Sequence, residues 1–404
     1  MYRKMFFSNH NRKKKANFRH RTPFYAVVAF ILSAFLTVSC HKRQPEEPLA
    51  VTEASTRYAS LLQMQDLSHH LTLCRIQNPW QGRKLAIQYI LVPAADSATV
   101  SDAFLDELVE EYGPMQVLVT PLQRQTVTAC CHARLLEEFD AMETIGVLCD
   151  ADYISSRTLR DALDNGAILD GGLATAPNVE VMLAAQTQAI WISPYEGSSQ
   201  AVMQAVLPDL PVIYCADYME NTPLGRAEWV RFYGRLVDKA AVADSIFKLV
   251  ETQYLRLSEA SDSVAHPTLL ADSPYGATWY VPGGRSTMSW LYQDAGFSYP
   301  WSDDTHSGSL ALSPEAVFEK AQAADVWIIK YFSPDRDWTL SEFIGQNPLF
   351  AQFRAAQRGN VFGCNTAISD YFETTPFRPD VMLQEMQYIR ENHSDSLRYF
   401  QRLK

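Results

Sequence analysis

The side chains best suited to hold a ligand fall in four stretches of the chain. They are TPLQRQT after VLV, SPYEGSS after AIWI, YGATWYVPGGRSTMSW, and YFSPDRDW after DVWIIK. Together these offer Arg124, Tyr195, Trp279, Tyr280, Arg285, Trp290, Tyr331 and Arg336. Aromatic rings supply flat contact area for a large planar or catecholate ligand. Arginine suits carboxylates or an anionic chelate, because its planar fork donates in pairs. Each aromatic has a second reading as core packing, in a chain that is 12% aromatic. Arg285, set between PGG and ST, is the strongest single candidate. The glycines of VPGGRST also let backbone N–H groups approach a ligand. An axial ligand for haem would come from Tyr195, Tyr280 or His306. WSDDTHSG reads as a solvated turn, with a metal loop through Asp303, Asp304 and His306 as the alternative.

Two other carboxylates stand out because their surroundings are duplicated. PNVEVMLAAQTQAIWI and SPEAVFEKAQAADVWII share a proline, a glutamate, a short Ala-rich run and a strand with Trp and Ile. Asn178 and Ser313 are good N-caps, and Pro177 and Pro314 lie beside the helix starts. Glu180 and Glu315 then fall in the first turn, where the helix dipole favours a carboxylate. Taken alone, each glutamate reads as a helix-start residue.

The elements that must position these residues alternate. LTLCRIQNPWQGRKLAIQYILVP predicts two strands around a turn, and SDAFLDELVEEYG an amphipathic helix ending at Gly113. MQVLVT, IGVLCD, AIWISP and PVIYCADY read as strands separated by helical runs, the pattern of a mainly parallel α/β sheet. From residue 218 the pattern changes to a long helical stretch, with Trp229, Phe232, Leu236, Val242, Ile246, Leu249 and Val250 at helical spacing. The alternation then restarts. The fold class is therefore α/β: two lobes with mainly parallel sheets flanked by helices, joined by one long spanning helix. The boundaries are a leader over 1–39, a tether over 40–66, and a first lobe over 67–217 with a β extension at 67–93. The linking helix covers 218–262 and the second lobe 263–404.

Composition supports a folded chain with ample core, at 47% apolar and 20% charged residues. The leader differs from the rest. It holds eight basic residues, from Arg3 to Arg21, and no acidic one. The apolar run FYAVVAFILSAFLTVSC that follows fits a secretory signal peptide. That run ends on Cys40, which resembles the lipidated cysteine of bacterial lipoproteins; an ordinary signal peptide or an uncleaved anchor is the other reading. Loss of the leader takes the formal charge from −11 to −19. So acidic a balance argues against a nucleic-acid binder, which needs a basic face. The cysteines after Cys40 form no disulfide framework and no CxxC pair, and most read as buried small hydrophobes.

The whole layout resembles the helical-hinge class of periplasmic substrate-binding proteins, which serve ABC importers of ferric siderophores, haem and cobalamin. The resemblance covers roughly residues 115–395. Its anchors are GGLATAPNVEVMLAAQTQAIWIS, TPLGRAEWVRFYGRLVDKAAVADSI, LSPEAVFEKAQAADVWIIK and RPDVMLQEM. In that family an exposed acidic residue on each lobe docks to arginines of the membrane permease. The matching segments carry these roles to Glu180 and Glu315. The resemblance implies a monomeric, lipid-anchored binding protein of the cell envelope, facing the periplasm. Its implied partners are an ABC permease with its ATPase and an iron chelate or tetrapyrrole, with the ferric siderophore first. No cofactor, metal or catalysis is expected, and the chain has no GxSxG, HExxH or P-loop. ACCH sets thiols beside an imidazole, but neighbours on a helix do not face one another. A secreted enzyme on the same scaffold and a surface lipoprotein without a transporter are the competing readings.

Overall fold

A strand that returns to its sheet through a helix enters in the same direction, so alternating elements give parallel pairing. The computed structural model describes residues 56–80, 84–195, 209–259, 266–393 and 396–404, all within one structural unit, Leu49–Lys404. The leader and Cys40 lie outside the described residues.

The chain opens with β1 (Leu62–Asp66), β2 (Thr72–Gln77), β3 (Leu85–Pro93) and β4 (Gln116–Thr120), hydrogen-bonded in that order. The first two pairings are antiparallel and β3–β4 is parallel. Helix α1 (Asp102–Tyr112) makes the crossover; Ser101 caps it by accepting the Phe104 N–H at 3.2 Å. Its Leu108 packs on Leu71, Leu73, Ile90 and Val92. The hairpin expected over 67–93 is thus β2 and β3. Residues 56–66, within the span read as a tether, are part of the fold and include β1.

The next five strands are β5 (Gln125–Val127), β6 (Ile145–Leu148), β7 (Leu169–Asp170), β8 (Ile190–Ile192) and β9 (Val212–Tyr214). They form one parallel sheet in the order β7-β6-β5-β8-β9. Helices α2 (Cys130–Glu138), α3 (Arg157–Asp164) and α4 (Val179–Ala184) belong to this lobe. Tyr89 of β3 ties the two sheets, donating its hydroxyl to Val212 O at 2.7 Å and accepting the Tyr214 N–H at 3.0 Å.

The segment read as one linking helix is α5 (Pro223–Glu228), α6 (Val230–Leu236) and the 20-residue α7 (Ala240–Glu259). A close crossing explains the break. A Cβ on Gly234 would lie 2.4 Å from the Ala243 Cβ, so α6 and α7 pack almost backbone to backbone. The chain reverses between them with Asp238 in the left-handed region, at φ 57°.

The second lobe holds β10 (Leu269–Ala271), β11 (Pro274–Tyr275), β12 (Thr278–Pro282), β13 (Ser309–Leu312), β14 (Val326–Tyr331), β15 (Val361–Asn365) and β16 (Gln401–Arg402). One sheet runs β10-β14-β15-β16, parallel except at β16; β11-β12-β13 is a separate antiparallel sheet. Its helices are α8 (Thr287–Asp294), α9 (Pro314–Ala321), α10 (Leu340–Gly345), α11 (Arg354–Gln357), α12 (Tyr371–Thr374) and α13 (Pro379–Glu391). Trp279 and Trp327 stack at 5.7 Å in its core, and their indole N–H groups donate to Ala271 O and Asp272 O.

Buried glutamates fasten both ends of the described chain. Glu228 accepts the backbone N–H groups of Arg57, Tyr58 and Ala59 at 2.7–3.0 Å. Glu220 accepts those of Ser60 and Leu61, each at 2.8 Å, and the Trp229 indole at 2.9 Å. Near the C-terminus Glu385 does the same for Arg398, Tyr399 and Phe400 at 2.8–3.1 Å. Removing such a carboxylate leaves several buried donors unpaired. Glu228→Ala is expected to cost about 3–5 kcal/mol in urea unfolding. Arg57→Ala keeps its N–H and loses a surface ion pair to Glu251 and an exposed cation–π contact with Tyr58, so it is expected to cost about 1 kcal/mol.

Candidate ligand-binding cleft

In an open parallel sheet, a crevice forms beyond the carboxyl ends where the strand order reverses. In the first lobe that reversal falls at β5 and β8. Thr128 to His132 follow β5, and Ser193 follows β8. These residues line a cleft of about 900 Å3. Asp150, Tyr153 and Ser155 reach it from beyond β6, and Asp217 and Tyr218 from beyond β9. The facing wall comes from the second lobe: Lys330 and Phe332 at the end of β14, and Thr366, Ser369, Tyr371 and Phe372 beyond β15. Met288 of α8 and Arg226 of α5 complete it.

The floor is a buried polar network. Asp217 faces His132 Nε2 at 3.0 Å, accepts the Tyr233 hydroxyl at 2.8 Å, and pairs with Arg226 Nε at 3.1 Å. Burial acts to raise the Asp217 carboxyl, but the His132 hydrogen bond, the neighbouring positive charge and Tyr233 outweigh it and hold the group below its ordinary range. Trp191 stacks on Tyr233 at 4.9 Å beneath this network. Across the cleft, Lys330 forms an ion pair with Asp272. Burial alone would lower the Lys330 ammonium, and the Asp272 charge raises it above the usual lysine value instead.

Three contacts among the described residues join the two walls at the rim, above the packing of Phe377 on His132 at 5.8 Å. Glu373 of α12 accepts the N–H groups of Ser155 and Ser156, the second at 3.2 Å, just before the start of α3. The Cys130 thiol donates to Phe372 O at 3.7 Å. Tyr153 and Phe332 meet edge to face at 6.5 Å. These rings stay open to solvent, at 65% for Tyr153 and 57% for Phe332, as does Phe372 at 52%. The mouth therefore presents three aromatic rings.

The eight residues singled out for ligand contact lie elsewhere. Trp279 is core, as above. Tyr331 is buried, bonded to Asp337 at 3.0 Å and stacked on Trp338 at 4.4 Å. Arg336 is exposed and pairs with Glu342. Arg124 precedes β5, at the end of the sheet away from the cleft, and donates to Gln186 O at 3.2 Å. Tyr195, Tyr280 and Trp290 are exposed and line no part of the cleft. Arg285 is exposed too, and its turn is packed on its own chain. A Cβ on Gly283 would lie 2.4 Å from His306 O, and one on Gly284 2.3 Å from Asp304 O. Those glycines admit the 301–308 backbone. His306 and Asp304 bond to each other at 3.0 Å, and no group of three metal-ligating side chains occurs among the described residues.

The residues that do line the cleft were hidden by one short strand. TPLQRQT was read as the loop after VLV, yet β5 begins within it. Gln125 and Thr126 are polar but fully buried: Gln125 accepts the Trp191 indole at 2.7 Å and Thr126 bonds Thr187 at 2.9 Å. The signal available was IGVLCD and NVFGCN, two recognised strands whose following loops, with Tyr153 and Phe372, went unused.

Glu180 and Glu315 occupy the first turns of α4 and α9, as expected, and both are exposed. Neither has an ion-pair partner among the described residues. Each helix runs back along the strand it feeds, α4 into β8 and α9 into β14. Both glutamates thus stand at the level of the strands' carboxyl ends, the side on which the cleft opens.

A family model described as periplasmic binding protein matches residues 152–367, more than half of the chain. The chain belongs to that family. Among curated relatives, this periplasmic binding protein is 27% identical over 288 residues to an uncharacterized lipoprotein of Methanocaldococcus jannaschii, covering 68% of this chain and 66% of the relative. It spans between 54% and 66% of the length of the curated relatives it matches. Its fold is that of a heme binding protein from Pseudomonas aeruginosa, with TM-score 0.53 and 15% identity over 70% of this chain and 98% of the other. A protein of an Fe3+-hydroxamate transport system from Saccharomonospora viridis aligns with TM-score 0.52 and 16% identity, over 68% and 93% of the two chains.

In this periplasmic binding protein, Asp217 links cleft and stability. Its folded value lies below the unfolded one, which is about 3.9. Its contribution is complete above that unfolded value and is lost as pH falls through the folded value. Asp217→Asn is expected to lower stability near pH 7 by about 3–5 kcal/mol and to flatten part of the acid limb. Urea titrations across the acid range check both.

Proposed function

We propose that this protein is the substrate-binding component of an ABC importer and captures an iron chelate between its lobes. A ferric siderophore is the first reading, and haem or cobalamin of the same transport class the second. The observation that carries the proposal is the cleft itself. It lies beyond the carboxyl ends of both parallel sheets, measures about 900 Å3, and is ringed by Tyr153, Phe332 and Phe372. That volume suits a large ligand, since small-molecule sites run from about 300 to 1,000 Å3. Binding without catalysis fits the thiol at the wall: burial pushes Cys130 up to about 11, so it stays protonated and weakly nucleophilic at neutral pH. The names of the structural neighbours, a heme binding protein and an Fe3+-hydroxamate transport protein, agree with this class of cargo.

Delivery would use Glu180 and Glu315 as paired handles for arginines of a permease, with its ATPase behind. A carboxylate-to-arginine bond is charge-assisted and geometrically specific, so two of them set registry as well as affinity. Lipidation of Cys40 would hold the protein at the envelope, facing the periplasm. The helices α5–α7 that join the lobes, together with the Glu373 contact, argue for a modest change between free and loaded forms, which small-angle scattering reads directly.

The test of cargo is titration of the purified protein with ferric siderophores, haem and cobalamin, following tryptophan emission and the visible band of each chelate. Saturable one-to-one binding to one class is expected, and silence across all three contradicts the proposal. Tyr153→Ala combined with Phe332→Ala is expected to weaken that binding at least about tenfold, the loss of roughly 1–2 kcal/mol of aromatic contact. For docking, Glu180→Ala with Glu315→Ala is expected to cut cellular uptake more than about tenfold while leaving the dissociation constant within about twofold. Unchanged uptake in that double variant removes the handles from the account.

A further inference from the structure

We propose that the cleft selects neutral or cationic metal chelates and rejects polyanionic ones. The inference rests on the reading that the cleft is the ligand site, and it names which chelates that site takes. The basic side chains that reach the cleft are already neutralised within the protein. Arg226 pairs with Asp217 at 3.1 Å, and Lys330 with Asp272. His132 is held on the same Asp217 at 3.0 Å. Asp150 and Glu373 then face the cleft with no ion pair among the described residues, the Arg134 charge lying behind Glu373 on the side away from the cleft lining. Asp150 takes only the Ala174 N–H at 3.0 Å, and Glu373 only those of Ser155 and Ser156.

With histidine counted as neutral, the two cations that line the cleft, Arg226 and Lys330, stand against three lining carboxylates, Asp217, Asp150 and Glu373, with Asp272 a fourth behind Lys330; the excess is one to two negative charges before backbone dipoles are included. The first turn of α2 opens on the cleft and opposes that excess with about half a positive charge. The sign survives. The three arginines that would have served an anion, Arg124, Arg285 and Arg336, all lie outside.

The rim adds an attractive half to this rule. Tyr153, Phe332 and Phe372 are exposed aromatic rings, and such rings attract cations and accept flat apolar groups. Carboxylates inside and aromatic rings at the mouth suit a chelate whose periphery is neutral or positive. A ferric trihydroxamate is neutral or singly positive, whereas a ferric tris-catecholate carries three negative charges. Cobalamin presents amides where haem presents two carboxylates. The rule therefore ranks trihydroxamate above tris-catecholate and cobalamin above haem.

The experiment titrates the purified protein with three ferric probes: a cationic trihydroxamate, a neutral trihydroxamate and a trianionic tris-catecholate. Haem and cobalamin are run beside them. The trianion is expected to bind at least about a hundredfold more weakly than the better trihydroxamate, which is about 2.7 kcal/mol. Asp150→Asn is expected to narrow that gap about threefold or more, and so is raising the salt, since part of the repulsion is screened. Tightest binding of the trianion, or equal binding of all three, overturns the charge rule and leaves the importer reading standing. Binding by none of the five overturns that reading, and this inference with it.

Discussion

The fold depends on buried carboxylates that collect runs of backbone N–H groups from distant parts of the chain. Glu228 and Glu220 hold five consecutive amides, from Arg57 to Leu61, against the helices that join the lobes. Glu385 holds three amides before the last strand. Glu373 holds two at the entrance to α3, across the lobe boundary. A buried carboxylate is costly unless its lone pairs are filled, and a backbone amide cannot be left without an acceptor. Each problem solves the other here. The arrangement satisfies the backbone of segments whose Leu61, Tyr399 and Phe400 side chains are packed in the core.

That fastening lets short strands do a large job. Strands β5, β8 and β9 have three residues each, yet they place Thr128, Ser193 and Asp217 at the same edge of the first lobe. The edge is kept in register by polar bonds under it, from Gln125 to Trp191 and from Tyr233 to Asp217. The second lobe answers with β14 and β15, whose ends carry Lys330, Phe332 and the 366–376 segment. The cleft is a consequence of two parallel sheets ending toward one another, with Glu373 closing one side.

Much of this was legible in the sequence, and the misses share a cause. Alternating helix and strand gave the α/β class, and the duplicated PNVE and SPEAV stretches located both exposed glutamates. Hydrophobic patterning works where apolar residues make the strand. It failed at β5, where buried Gln125 and Thr126 look like loop, and so the segment after β5 that lines the cleft was not singled out. It failed again at VPGGRST, because glycines that admit the protein's own backbone look the same in sequence as glycines that admit a ligand. Aromatic content also misled: Trp279 and Tyr331 serve the core, Phe332 stands beside Tyr331 in a stretch from which Tyr331 and Arg336 were chosen instead, and Tyr153 and Phe372 sit in segments that were not singled out. The long helix was misread because Gly234 and Asp238 act through a tertiary crossing that no local pattern records.

The central claim is that ligand enters between the lobes at the carboxyl ends of both sheets. Hydrogen exchange on the protein with and without saturating chelate tests it most directly. The account predicts added protection in 128–132, 150–156, 217–219, 330–333 and 366–376 together, drawn from both lobes. Protection confined to one lobe, or centred on the 278–290 hairpin and its arginine, would contradict it.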